Sequence, residues 1–224
     1  MSKARRIGHL LEVLLEVLAV GILVVFVTAG VPGPGSICLA GLPGAVSAVD
    51  WQDIIDANKC ASDTDLRAHL NLAIAYANTG RIVEANDEFR LLARADYETF
   101  GRRVILDGED SLRRDPKNIM ALNHLAFTYY AFGRYAEALS CFRNLADLDS
   151  KNVWVKHYLA VAYARTGRLD DAISTLQKAL DLDPRNEYTH LLLALAYKEK
   201  GWYIAAAIEF LKAPNARKEI LNLK

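Results

Sequence analysis

Three stretches, Asn123–Ala138 (NHLAFTYYAFGRYAEA), His157–Ala172 (HYLAVAYARTGRLDDA) and Leu191–Ala206 (LLLALAYKEKGWYIAA), align without a gap. A fourth, Leu70–Ala85 (LNLAIAYANTGRIVEA), falls into the same frame. Each carries a Tyr followed by a Gly, at Tyr76/Gly80, Tyr129/Gly133, Tyr163/Gly167 and Tyr197/Gly201. Tyr129, Tyr163 and Tyr197 recur with a constant step of 34, whereas the step from Tyr76 to Tyr129 is 53, which is 34 plus 19. A repeat of this period is the mark of an architecture built by stacking one small unit.

Units of that period then run over 66–99, 119–152, 153–186 and 187–220, with an insertion at 100–118. Position 7 is Leu in all four (Leu72, Leu125, Leu159, Leu193) and position 8 is Ala (Ala73, Ala126, Ala160, Ala194). Position 20 is again Ala (Ala85, Ala138, Ala172, Ala206), and position 24 is Phe89, Phe142, Leu176 and Phe210. Leu at 7 and Tyr at 11 share one face of a helix. Gly at 15 suits the left-handed residue that ends it. The small residues at 8 and 20 let a second helix lie close, and the large one at 24 fills the space between. One such hairpin cannot bury its own apolar face, so the units must stack.

On these columns the chain resembles the tetratricopeptide repeat (TPR) family, over most of the sequence that follows Ala48. The resemblance implies an all-α solenoid, a right-handed superhelix of helix-turn-helix units. Position 4, often Trp in the family, is His69, Leu122, Lys156 and His190, and position 32, usually Pro, is Tyr97, Ser150, Pro184 and Lys218. The insertion reads as an extension of the second helix of unit one or as an extra helix. Gly101 and Gly108 speak against one straight helix there. Residues 49–65, with Asp50 as N-cap before Trp51, Ile54 and Ile55, form a lead-in helix. Residues 215–224 form a C-terminal cap, in which Ile220, Leu221 and Leu223 cover the last unit.

The segment 1–48 differs in kind. It holds only Lys3, Arg5, Arg6, Glu12 and Glu16 as charged residues, and Val17–Val31 has none. With Val13–Leu15 this makes an apolar leader nearly as long as the roughly 20 residues that span a bilayer. A Gly/Pro linker follows it. Two readings stand: a retained signal anchor, or a signal peptide cut after Ala29 or Ala48, where small residues precede the site. Either way the basic end stays in the cytoplasm and the repeats are exported, to stand membrane-anchored outside it or to be secreted or periplasmic.

Composition narrows the function. Lys plus Arg equal Asp plus Glu at 27 each, so no basic excess exists to neutralise nucleic-acid phosphates. Cys38, Cys60 and Cys141 have no metal or redox spacing, and no disulfide is expected. No phosphate loop, zinc-type His/Cys pair or nucleophile elbow occurs, so no catalytic residue, metal or cofactor is expected and the chain reads as a non-enzyme.

By resemblance, function lies in the concave groove lined by the first helices. Carried onto this chain, the lining is Asn123, Phe127 and Tyr130 of unit two, Trp154, His157, Tyr158 and Val161 of unit three, and Tyr188, Leu192 and Leu195 of unit four. The Lys/Asn/Arg clamp of chaperone-binding relatives is absent: from unit two, its places hold Asn123, Phe127, Tyr158, Tyr188 and Leu192. An apolar, aromatic strip of this kind suits a peptide or helix of a protein partner. The expected function is an exported TPR adaptor for assembly of an envelope complex. The alternative is a self-assembling scaffold, or an accessory subunit of a cell-wall or secretion enzyme.

Overall fold

The computed structural model describes residues 49–60, 62, 64–94 and 97–221. The leader and its proposed cleavage sites lie outside the described residues, as does Leu223 of the expected cap. Among the described residues there are eleven helices and no strand. None of these helices is long and apolar enough to cross a membrane.

A short helix, α1 (Trp51–Asn58), leads in, and the Asp50 carboxylate accepts from the N–H groups of Gln52 and Asp53 at 2.9 and 3.3 Å. Helices α2 (Leu66–Thr79) and α3 (Ile82–Arg94) form the first hairpin. The inserted segment gives α4 (Tyr97–Arg114). The regular hairpins follow as α5 (Ile119–Ala131) with α6 (Tyr135–Leu148), then α7 (Val153–Arg165) with α8 (Leu169–Leu182). The last is α9 (Glu187–Glu199) with α10 (Tyr203–Leu211), closed by α11 (Pro214–Leu221).

The repeated columns do the same work in each unit. Leu72, Leu125, Leu159 and Leu193 and the alanines beside them are buried, as are Phe142, Leu176 and Phe210. The glycine that ends each first helix is left-handed, with φ between 69° and 79°. The next N–H then closes back on the Tyr carbonyl, for example Arg168 N–H to Tyr163 O at 2.9 Å. In three of the units the same arginine gives the Tyr ring a cationic partner. Arg81, Arg134 and Arg168 lie over the rings of Tyr76, Tyr129 and Tyr163 at 4.4, 4.4 and 4.7 Å. Asn118, Asn152 and Asn186, which recur at the same period, cap α5, α7 and α9 by accepting from their first-turn N–H groups.

The insertion is an extra helix, continuous through both glycines. Their purpose is close approach. A Cβ at Gly108 would lie 2.7 Å from Leu125 Cγ, and one at Gly101 would lie 2.7 Å from the Phe132 ring, so α5 can lie almost on the α4 backbone only because no side chains intervene. Helix α4 packs along α5 as α6 packs along α7. It thus takes the place of a second helix, and the α2–α3 hairpin is displaced from that position.

At the far end Ile220 is buried against α9, in a cluster with Leu191, Leu195 and Phe210. Cys141 is buried in α6 and Cys60 is exposed after α1.

Candidate interaction groove

The displaced hairpin decides the state of the candidate groove. Helix α2 lies against both α5 and α7, the first helices of units two and three. Its Asn78 Nδ2 donates to Asn123 Oδ1 at 3.0 Å, and Asn71 Oδ1 accepts from His124 Nε2 at 2.8 Å. Tyr158 crosses from α7 to donate its hydroxyl proton to the Ala77 carbonyl at 2.8 Å, 81 residues away in the chain. From α3, the Phe89 ring sits 5.6 Å from that of Phe127, which also meets Phe142 and Tyr158 at 5.4 and 5.0 Å. Trp154 lies on the bare backbone of Gly80.

The expected open strip is therefore a closed interface. Asn123 and Phe127 are each 1% exposed, and Tyr130 and Tyr158 each 4%. His157, Leu192 and Leu195 are buried as well, while Trp154, Val161 and Tyr188 are half-buried. This burial has a definite cause. With α4 acting as the second helix, the first hairpin covers the faces of α5 and α7 that a regular superhelix leaves bare. In unit four the cause differs: α11 covers Leu195, and Leu192 packs with Ala160 and Val161 between α7 and α9.

Chemically the interface is neutral. Burial, helped by the neighbouring Arg67 cation, lowers the His124 pKa to about 4. Burial, against the opposing pull of the Asp183 carboxylate, takes His157 down to about 3; its Nε2 bonds to Thr189 Oγ1 at 2.6 Å and ties α7 to α9. Both rings are uncharged at neutral pH. Burial likewise raises the Tyr158 hydroxyl, which remains a proton donor. Tyr130 OH accepts from Arg165 Nε at 3.0 Å at the edge of the site. Among the described residues no three His, Cys, Asp or Glu side chains are grouped to hold a metal ion.

Stacked hairpins with apolar clusters between them define an α-solenoid repeat protein. Two tetratricopeptide repeat family models match, one over residues 129–196 and one over 66–90. The chain thus carries tetratricopeptide repeats over these residues, which supports a protein-interaction module. No curated protein matches it. Solved structures do. The chain is 19% identical to one described as the crystal structure of MamA protein, covering 75% of this chain and 90% of that one, with a TM-score of 0.52. It is 27% identical to "MamA MSR-1 C2", over 75% and 87% of the two chains, with a TM-score of 0.45. It is 19% identical to MamA from residue 41 onward of Desulfovibrio magneticus RS-1, over 77% and 82%, with a TM-score of 0.47. The first of these shares the fold.

Proposed function

We propose that this protein is a non-enzymatic adaptor of the cell envelope, held at the outer face of the cytoplasmic membrane by its apolar leader or released there after cleavage. Its partner is an apolar peptide or helix of an envelope complex, taken up on the first-helix side of units two and three. One observation carries this reading: that side already accepts a helix, α2, through both aromatic packing and convergent polar groups. Asn123, His124 and Tyr158 offer a donor or acceptor to a helix lying across them, and Phe127 and Trp154 supply apolar contact. A partner helix therefore competes with the chain's own hairpin for one surface. Such competition lowers apparent affinity by the fraction of molecules in which the hairpin is docked.

Spheroplast proteolysis combined with crosslink mapping in host cells tests both halves. Protease added outside is expected to digest the repeats, and crosslinks are expected from α5 and α7 to a distinct protein. Repeats protected until the membrane is dissolved refute export. Crosslinks to a partner that map only to second helices refute the groove.

A further inference from the structure

Helix α10, YIAAAIEFL, is the least polar helix of the last unit, and its one charged residue, Glu209, turns inward to bond His190 Nδ1 at 2.6 Å. Its outer side is apolar and open. Tyr203 is 71% exposed, Ile204 82%, Ile208 51% and Leu211 71%, with the exposed Ala207 among them. Together they cover an arc of about 140° on the helix.

The repeat itself supplies the control. At position 22, Ile208 stands where the other units have Asp87, Ser140 and Ser174; at position 25, Leu211 stands where they have Arg90, Arg143 and Gln177. At position 18, Ile204 replaces Val83, Ala136 and Asp170. The fold does not need bulk at these places, because stacking runs through other positions: Leu139 and Ile173 at 21, Phe142 and Leu176 at 24, all buried. At positions 22 and 25 a large apolar side chain stands in this unit alone, and with Ile204 beside them these exposed residues mark a contact surface.

We propose that this face of α10 packs against the same face of a second copy of the chain, in a twofold dimer. The area fits. With about 200 Å² as the full area of each large side chain, the patch offers roughly 500 Å² per copy, and two copies bury about 1,000 Å², the threshold of a specific interface before any polar rim is added. The shape fits: Ala207 at the centre lets two helix axes approach, while Ile204, Ile208 and Leu211 form a ridge at i, i+4 and i+7. The charge fits as well, because a chain of zero net charge sets up no long-range repulsion against its own copy. An apolar patch without charges to match is self-complementary, and the contact closes as a pair. The dimer does not depend on what the first-helix side binds.

Light scattering on the full chain, from about 1 to 100 µM, tests this. Wild type is expected to reach twice its 24.8 kDa mass. Ile204→Asp/Ile208→Ser/Leu211→Arg, which installs residue types found at the same positions in other units, is expected to stay at single mass with unchanged circular dichroism. Wild type at single mass throughout overturns the proposal, and patch-dependent flotation of that monomer on phosphatidylcholine vesicles would name lipid as the occupant instead. A folded triple variant that still dimerises overturns it too, placing association in the leader or elsewhere. Should the triple variant unfold, Ala207→Cys on a Cys38→Ser/Cys60→Ser background decides: a short bis-maleimide is expected to join two copies, and a dimer that fails to join refutes the twofold contact.

Discussion

Replacing Gly80 by Ala isolates the contact that closes the groove. Two costs combine at this residue. Its φ is +79°, and an L side chain in that region costs about 1–2 kcal/mol. A Cβ there would also overlap the indole of Trp154, and overpacking of this kind costs about 1–3 kcal/mol. Gly80→Ala should therefore destabilise by about 3–4 kcal/mol. Gly167 is the control. It holds the same position two units on, at φ +77°, with nothing within 4 Å of an added Cβ. Gly167→Ala should cost only the backbone part, about 1–2 kcal/mol. The difference of about 2 kcal/mol reports the docking of the first hairpin on α7 and nothing else. Urea unfolding followed by circular dichroism reads it as a midpoint lower by about 1 M for Gly80→Ala than for Gly167→Ala. In a Trp154→Leu background the gap should close, as a double-mutant cycle requires. Equal midpoints for the two single variants would show that Trp154 does not meet the hairpin in solution, and the closed-groove account would fall.

Tyr158→Phe keeps the ring and removes the hydroxyl from the Ala77 carbonyl, so it should cost about 1 kcal/mol and speed amide exchange in α2 while α8 stays protected; unchanged exchange in α2 would count against the contact. Stability should fall with acid before the carboxylates titrate. His124 and His157 have native pKa values of about 4 and about 3, against about 6.5 unfolded, so below pH 6.5 the unfolded chain binds protons that the native one refuses. Each ring then removes about 2 kcal/mol between pH 7 and 5. His157→Leu should halve that loss, and a midpoint flat over this range would refute the burial of both rings. Glu187 accepts from the N–H groups of Asn215 and Ala216 at 2.6 and 2.9 Å, so it caps α11 from another helix. Glu187→Ala should cost about 1 kcal/mol and open the α10–α11 link to limited proteolysis; resistance equal to wild type would rule out that capping role.

Much of this molecule is legible along the chain because its units are local. Leu at 7, Ala at 8 and 20, Tyr at 11 and Gly at 15 form hairpins whose contacts lie within one unit or its neighbour. Period and columns alone therefore define an all-α solenoid. The capping asparagines and the Arg that covers Tyr76, Tyr129 and Tyr163 were equally readable, since both recur within the units. The polar columns that become Ile208 and Leu211 in the last unit were also in plain view, but only burial shows that nothing among the described residues covers them.

The groove was not legible. Column by column, Phe127, Trp154 and Tyr158 occupy positions that face a ligand, and no local rule says otherwise. Their burial follows from the inserted α4. Gly101 and Gly108 read as weak helix formers, yet their missing side chains let α4 press on α5 and take the second-helix place. The hairpin before it then lies across units two and three, and Tyr158 reaches the Ala77 carbonyl. Periodicity determined the units and their order, because those are set by contacts a few turns apart. Only the tertiary structure decided that the first unit covers the faces of the next two, because that contact joins residues 81 positions apart and depends on how closely two backbones approach.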